Sequence, residues 1–269
     1  MPLAEYHRPV DVATVRRLLA RTPSPALLAG GAALVPSLMN GAADAVVDLR
    51  DLPLAFADVR SDGLHLGALL TLAELTPASA AGGWANGLLA AAARTEGPIN
   101  RRNAATIGGL VAQARPTSVL WLALLALEAH AIVVAAEGPP RQVTLRGLAD
   151  APGLAGQLLL EVALPKRLAQ ARYGMATTGR TPRDEPIVAA VAVTALNLTT
   201  ATVALGGVTA QPLILSGLQA FAPDPSQLPV ALDDLLASQA LASDFRGSAE
   251  YRRHLAGVLA QRALTQALV

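Results

Sequence analysis

The sequence predicts a protein of mixed helices and strands, and three observations lead to this prediction. Apolar residues recur at helical spacing in some segments, as at Val12, Val15, Leu18 and Leu19, and form short runs typical of buried strands in others. Hydrophobic residues make up 52% of the chain and aromatic residues only 3%, so we expect an aliphatic core. A length of 269 residues is enough for one large or two modest domains.

The first fifty residues alternate between helix and strand. Asp11 is placed to cap the first helix. A strand over 26–29 runs through Gly30-Gly31 into a helix over 32–40, and another strand follows at 45–49. This order predicts a unit of strand, helix and strand at the start of the chain.

Beyond residue 53 the pattern is less regular. Strands are predicted near 64–66, 131–135, 142–145 and 158–164, and helices over 72–75, 84–93 and 117–127. Residues 96–115 are predicted as a loop, because they carry Gly97-Pro98 and Gly108-Gly109.

Pro165-Lys166-Arg167 closes this block and predicts a domain boundary. The boundary separates residues 1–167, which divide further near residue 53, from residues 168–269. Strands in the second part are expected near 172–176, 187–197 and 201–205, with a surface loop over 221–227. Ser248 is placed to cap the last helix.

Composition excludes several classes of function. Twenty-one basic and twenty acidic residues leave a net charge of +1, which gives no basis for a nucleic-acid partner. With no cysteine, the chain cannot form a disulfide, ligate an iron–sulfur cluster through thiolates or use a thiol nucleophile. The four histidines show no pair at the spacing of zinc ligands, so we expect no metal site. Each histidine alone is interpreted as structural and no GxSxG motif is present, so we expect no catalytic residue.

The sequence also predicts that the protein neither spans a membrane nor is exported. The most apolar stretch, Val119 to Leu127, is too short to cross a bilayer. The N-terminal residues lack the order of basic, apolar and small residues that marks a signal peptide. We therefore expect a cytoplasmic location.

Two segments with paired glycines are the strongest candidates for binding. The first, residues 27–34, runs from a predicted strand through Gly30-Gly31 into a predicted helix. The second is Thr106-Ile107-Gly108-Gly109-Leu110. Paired glycines let a ligand approach backbone N–H groups closely, and a helix N-terminus favours a phosphate. Neither segment matches a Walker loop or a GxGxxG fingerprint, and a single glycine pair is more often only a turn.

The ordered set of motifs resembles the FAD-binding medium subunit of the molybdenum hydroxylases, the family of xanthine dehydrogenase and aerobic carbon monoxide dehydrogenase. The motifs that carry the resemblance extend over most of the chain. They are Tyr6-His7-Arg8-Pro9, Leu28-Ala29-Gly30-Gly31 with Leu34-Val35-Pro36, Val47-Asp48-Leu49-Arg50, Arg102-Asn103 with Thr106-Ile107-Gly108-Gly109, Ala204-Leu205-Gly206-Gly207-Val208, and residues 244–253.

The resemblance implies an α+β fold. It implies a PCMH-type FAD-binding domain of two subdomains, followed by a small C-terminal domain of a three-stranded sheet and helices. It also implies a small subunit with two [2Fe–2S] clusters and a large molybdopterin subunit as partners, in a heterotrimer or a dimer of heterotrimers. The absence of cysteine agrees with this division, because the cluster ligands then belong to a partner.

The resemblance places the FAD diphosphate between the two glycine segments, and Val162 against the flavin ring. Three positions depart from the family pattern, since Leu110, Val119 and Met175 stand where the family usually has Asn, an acidic residue and Lys. FAD binding is therefore expected to be weakened or lost. The cofactor-binding residues implied are Leu28, Ala29, Gly30, Gly31, Ala32, Ala33, Leu34, Thr106, Ile107, Gly108, Gly109, Leu110, Val119, Val162 and Met175.

Three hypotheses follow. The chain is a flavin-binding electron-transfer subunit, or it is a structural docking subunit that has lost its cofactor. In the second case Leu110, Val119 and Met175 would fill the vacated cleft as an apolar cluster. The third hypothesis is an unrelated small-molecule binder that uses the same cleft.

Overall fold

The described part of the chain forms three separate sheets. The computed structural model describes residues 3–40, 43–150, 154–181, 184–195, 200–219 and 228–269. Strands and helices mix throughout these ranges, which confirms the predicted α+β class. No helix in these ranges is long and apolar enough to cross a membrane.

The first sheet is parallel and has the spatial order β1-β3-β2. Its elements are β1 (Glu5–His7), α1 (Val12–Leu19), β2 (Ala26–Leu28), α2 (Leu34–Met39) and β3 (Ala45–Asp48). As predicted, Asp11 caps α1, with its carboxylate accepting the N–H of Thr14 at 2.7 Å. Strand β1 was not predicted.

The second sheet is antiparallel, with the order β4-β5-β8-β6-β7. Its strands are β4 (Ala57–Val59), β5 (Gly63–Gly67), β6 (His130–Ala135), β7 (Arg141–Thr144) and β8 (Gln157–Pro165). The helices between these strands are α3 (Leu88–Ala93), α4 (Ile99–Ala104), α5 (Ile107–Gln113), α6 (Val119–Ala126) and α7 (Leu145–Asp150). Four of these strands match predicted ones, and β4 was not predicted.

The helix predicted over 84–93 begins later than expected, because α3 covers only Leu88–Ala93. Ala85, Asn86 and Gly87 have φ values of +48°, +53° and +89°, so the chain turns sharply before α3 begins. The turn allows the N–H of Ala85 to donate to the carbonyl of Ala169 at 2.7 Å. Contacts with a distant segment therefore override the local helical pattern.

The prediction of a loop over 96–115 was wrong, because α4 and α5 lie there. Glycines disfavour a helix by propensity alone. Here, however, Thr106 caps α5 with its hydroxyl 3.1 Å from the N–H of Gly109. A Cβ at Gly108 would approach the carbonyl oxygen of Ala68 to 2.8 Å. Gly108 thus permits α5 to pack closely against Ala68, in the segment that follows β5.

The third sheet is antiparallel, with the order β12-β11-β10-β9. Its elements, with the two helices that follow, are β9 (Arg172–Thr178), β10 (Val188–Thr194), β11 (Thr200–Gly206), β12 (Leu213–Gln219), α8 (Leu228–Leu236) and α9 (Ala249–Leu268). The sheet has four strands instead of the three predicted. The strand that was not predicted is β12, in which Gly217, at φ +74°, interrupts the run of apolar residues. The loop predicted over 221–227 lies outside the described residues.

Helix α6 lies buried against the third sheet. All eight of its residues are buried, and it packs against β10, β11 and α3. Alternate side chains of β10 face opposite sides, with Val191 and Val193 toward α6 and Val188 toward α9. Ser248 caps α9 as predicted, with its hydroxyl 3.2 Å from the N–H of Tyr251.

Candidate functional site

The two glycine pairs predicted from the sequence meet at one cleft. Gly30-Gly31 follows β2, and Gly108-Gly109 lies in the first turn of α5. A Cβ at Gly30 would lie 1.5 Å from the carbonyl oxygen of Ala104, so only glycine lets the two segments come this close. The cleft between them has a volume of about 550 Å³.

Three stretches of chain contribute most of the cleft's lining residues. They are residues 29–34, the side of α5 with the residues just before it, and residues 154–159 at the start of β8. Most lining side chains are aliphatic, and none of the described lining residues is charged. The polar side chains among them are Ser37, Thr106, Gln113 and Gln157. Such a cleft would hold a ligand by apolar contact and by backbone polar groups.

The first glycine segment offers unpaired backbone donors. The N–H groups of residues 30–34 donate no hydrogen bond to any described residue. Gly31 has φ +73°, and Ala33, at the start of α2, provides no side-chain cap. Consecutive unpaired N–H groups around a turn are suited to an anion such as a phosphate.

The second glycine segment has already used its donors. The N–H groups of Ile107 and Gly108 donate to carbonyl oxygens of the segment that follows β5, at 2.9 and 2.7 Å. The N–H groups of Gly109 and Leu110 donate to the hydroxyl and the carbonyl of Thr106, at 3.1 and 2.9 Å. This segment therefore supplies a wall and a close backbone approach.

The cleft brings together nine of the fifteen predicted site residues, and six do not line it. Val119 and Val162 are buried in the main core, at 1% and 0% exposure. Met175 is half-buried in β9, where its N–H donates to the side chain of Gln266 at 3.0 Å. The six residues that do not line the cleft are Leu28, Ile107, Leu110, Val119, Val162 and Met175.

Leu110, Val119 and Met175 therefore do not gather in the cleft. Val119 belongs to a helix whose residues are all buried, and Met175 packs against the same core from the third sheet. The filled cleft that the docking-subunit hypothesis expects is absent, because a volume of about 550 Å³ stays open between the glycine segments.

A small side cavity of about 20 Å³ adjoins the cleft and shares Ala32, Ala105 and Gln113 with it. Leu110 lines this cavity, together with charged residues that sequence reasoning did not place here. Glu96 is among them, and its side chain is almost fully buried.

The Glu96 carboxylate lies at the N-terminus of α6. It accepts hydrogen bonds from the Ser118 hydroxyl at 2.6 Å, the Leu120 N–H at 3.2 Å and the Arg115 guanidinium at 2.8 Å. Twenty-two residues separate Glu96 from Ser118. No local spacing rule connects them, so the sequence held no signal for this contact.

This α+β fold, with an open cleft between two glycine pairs, is typical of a protein that binds a small ligand. The family described as the FAD binding domain in molybdopterin dehydrogenase matches residues 2–167, and the CO dehydrogenase flavoprotein C-terminal domain matches residues 179–267. The chain belongs to this family of FAD-binding subunits of molybdenum hydroxylases, which confirms the resemblance inferred from the motifs.

Solved structures agree with this assignment. A carbon monoxide dehydrogenase from Hydrogenophaga pseudoflava is 26% identical with a TM-score of 0.85, covering 99% of this chain and 97% of that one. Reconstituted CO dehydrogenase from Oligotropha carboxidovorans is 27% identical with a TM-score of 0.85, covering 98% and 97%. Quinoline 2-oxidoreductase from Pseudomonas putida 86, at 23% identity, a TM-score of 0.85 and coverages of 99% and 97%, shares the fold. A search of curated proteins found no match.

The donor set of the cleft fits the diphosphate of FAD. Residues 30–34 present unpaired N–H groups, and the aliphatic lining suits aromatic rings. The fit rests on the backbone, because none of the described lining side chains is charged.

Proposed function

We propose that this chain is the flavin-binding electron-transfer subunit of a molybdenum hydroxylase-type oxidoreductase. In this function it receives electrons from the [2Fe–2S] clusters of a small partner subunit, and an external acceptor takes them from FAD. Substrate oxidation belongs to a large molybdopterin subunit. Family membership and the CO dehydrogenase structures support this proposal.

The observation that carries the proposal is the run of unpaired N–H groups at residues 30–34, on the wall of an open cleft. Backbone donors keep their position whatever the side chains are, so this part of the site survives the loss of polar side chains. The second glycine segment completes the cleft by packing Gly30 against Ala104.

We assign the protein's own task as holding and orienting the cofactor. FAD, when bound, supplies the two-electron and one-electron chemistry. Residues 30–34 would bind its diphosphate, and the aliphatic walls at residues 154–159 would exclude water from its rings. Residues 1–167 are proposed to form this FAD-binding part, and residues 168–269 a C-terminal domain that packs against α6.

The weaker FAD binding expected from Leu110, Val119 and Met175 stays a prediction. Each lost hydrogen bond to a neutral group costs about 0.5–1.5 kcal/mol, and more where a charge is involved. None of the three residues lines the cleft, so the geometry of the cleft lends this loss of affinity no support.

Flavin content and titration test the proposal. We expect the chain purified with its partners to bind FAD at one equivalent, measured by flavin absorbance before and after adding FAD. A complex that stays colourless with added FAD would show that the function is wrong.

A matched pair of variants locates the site. Ala33 is exposed and starts α2 without a side-chain cap. Ala33→Asp and Ala33→Asn should both cap α2, but the aspartate adds a negative charge beside the unpaired N–H groups. We expect Ala33→Asp to weaken FAD binding at least tenfold relative to Ala33→Asn, with equal thermal stability.

A further inference from the structure

The cleft has no charged side chain of its own among the described lining residues, whereas the diphosphate of FAD carries two negative charges. Charged residues line the adjoining side cavity, namely Glu96, Arg101 and Arg115. Ala32 lies on the wall of both cavities, next to the unpaired N–H groups. A cation here would be close to a diphosphate held by residues 30–34.

Two of the three charges in the side cavity neutralise each other. Arg115 donates to Glu96 at 2.8 Å and to Glu185 at 3.2 Å, so its guanidinium is held between two carboxylates. Glu96 accepts hydrogen bonds from three donors. Neither residue has charge to offer to a ligand.

Arg102, the residue that follows Arg101, has a structural role. Its guanidinium donates to the carbonyl oxygens of Arg94 at 3.0 Å and Gly97 at 2.7 Å. These bonds hold the turn before α4 against the end of α3.

Arg101 differs from Arg102 and Arg115 in its lack of bonding partners. Its side chain is exposed and has no hydrogen bond or ion pair to any described residue. Its Cδ lies 3.2 Å from the position that a Cβ of Gly97 would take, and Gly97 has φ +97°. A side chain at residue 97 would therefore crowd the Arg101 side chain, which lies at the edge of the side cavity.

We propose that Arg101 is the cationic contact for the diphosphate of a nucleotide bound in the cleft. This inference rests on the proposed function for its ligand, and it names the residue that compensates the ligand's charge. Arginine suits this position because its guanidinium donates to two phosphate oxygens at once. The backbone N–H groups and Arg101 would then approach the diphosphate from two sides of Ala32.

The test measures binding of FAD, ADP and riboflavin to the full chain by titration calorimetry at low and high salt. The variants are Arg101→Gln, Arg101→Lys and, as a control, Arg262→Gln. Arg262 is an exposed arginine of α9, which lies outside the cleft, and it has no partner among the described residues. All three variants should melt within a degree or two of the wild type.

We expect Arg101→Gln to weaken FAD and ADP binding about tenfold and to reduce its salt dependence. Arg101→Lys should recover part of the loss. Riboflavin has no phosphate, so its binding should stay unchanged, and Arg262→Gln should bind all three as the wild type does.

The outcomes separate this inference from the proposed function. Arg101→Gln binding FAD and ADP within twofold of the wild type overturns the inference, while FAD binding itself still supports the function. A chain that binds ADP through Arg101 but takes up no flavin keeps the inference and defeats the function. A wild-type chain that binds neither FAD nor ADP defeats both.

Discussion

The two glycine pairs at the cleft look alike in sequence but do different work. A Cβ at Gly30 would collide with the carbonyl oxygen of Ala104, and the N–H groups after it are unpaired. Gly109 sits in a helix, where a Cβ would meet only the Thr106 hydroxyl at 3.3 Å, and its N–H is bonded. The first pair makes a binding loop, whereas the second makes a wall.

A buried carboxylate also lies near each segment. Asp48 is fully buried next to β2 and is bonded to the Tyr6 hydroxyl and to Arg50 at 2.7 Å. Glu96 lies close to the end of α5 and caps α6. The cleft, which has no charged side chain among its described lining residues, therefore lies near two buried carboxylates.

The largest difference should appear on adding a methyl group at Gly30 and at Gly109, one glycine from each pair. Gly30→Ala forces a backbone shift at Ala104, so we expect a loss of about 4 kcal/mol of unfolding free energy. Gly109→Ala should be neutral or stabilising by up to about 1 kcal/mol, because alanine favours a helix over glycine. Urea unfolding measures both, and equal effects of the two substitutions would contradict the comparison.

The next largest effect concerns Glu96, the buried carboxylate near the second segment. Glu96→Ala leaves the Arg115 guanidinium and the α6 N-terminus without their carboxylate, at a cost of about 2–3 kcal/mol. Glu137→Ala is the matched control, since Glu137 is exposed and has no partner among the described residues, and it should change stability by less than about 0.5 kcal/mol. A loss for Glu96→Ala as small as that of the control would refute this role.

The sequence predicted the elements that local pattern and capping determine. Asp11 and Ser248 cap their helices, and Gly30-Gly31 and Gly108-Gly109 meet at a cleft. It failed where distant backbone contacts decide the structure, as at Ala85.

Part of the candidate site was likewise predicted from the sequence, and part was not. Residues 29–34 follow from a glycine motif after a strand. The wall at 154–159 and the cap by Glu96 depend on long-range packing, and no spacing rule reaches them. Family likeness placed Val119 and Val162 at the cofactor, but both lie in the core. A pattern of residue types does not report which face of an element is buried.

The stability of the protein in acid should depend on Asp48, the buried carboxylate near the first segment. Burial alone would raise the pKa of the Asp48 carboxyl, but the hydrogen bonds from Tyr6 and Arg50 hold that pKa below its ordinary value. A folded-state pKa below the unfolded value of about 3.9 stabilises the protein above that pH, and the stabilisation is lost as the pH falls below it. Asp48→Asn should cost about 1–2 kcal/mol at pH 7.

Thermal unfolding between pH 7 and pH 3 checks this expectation. The stability of Asp48→Asn should fall less toward pH 3 than that of the wild type. Asp234→Asn, which alters an exposed carboxylate without a described partner, should keep the wild-type profile. Parallel profiles for the wild type and Asp48→Asn would exclude Asp48 as a source of acid sensitivity.

The smallest effect tests whether the second segment is a wall because its donors are occupied. Thr106→Val removes the hydroxyl that accepts the N–H of Gly109, at a cost of about 1 kcal/mol, while Thr106→Ser keeps the bond. The freed N–H lies on the cleft wall. FAD affinity should therefore stay equal or rise slightly in Thr106→Val. A marked loss of FAD affinity in Thr106→Val but not in Thr106→Ser would mean that the Thr106 hydroxyl itself contacts the ligand, and the second segment would then be a binding loop like the first.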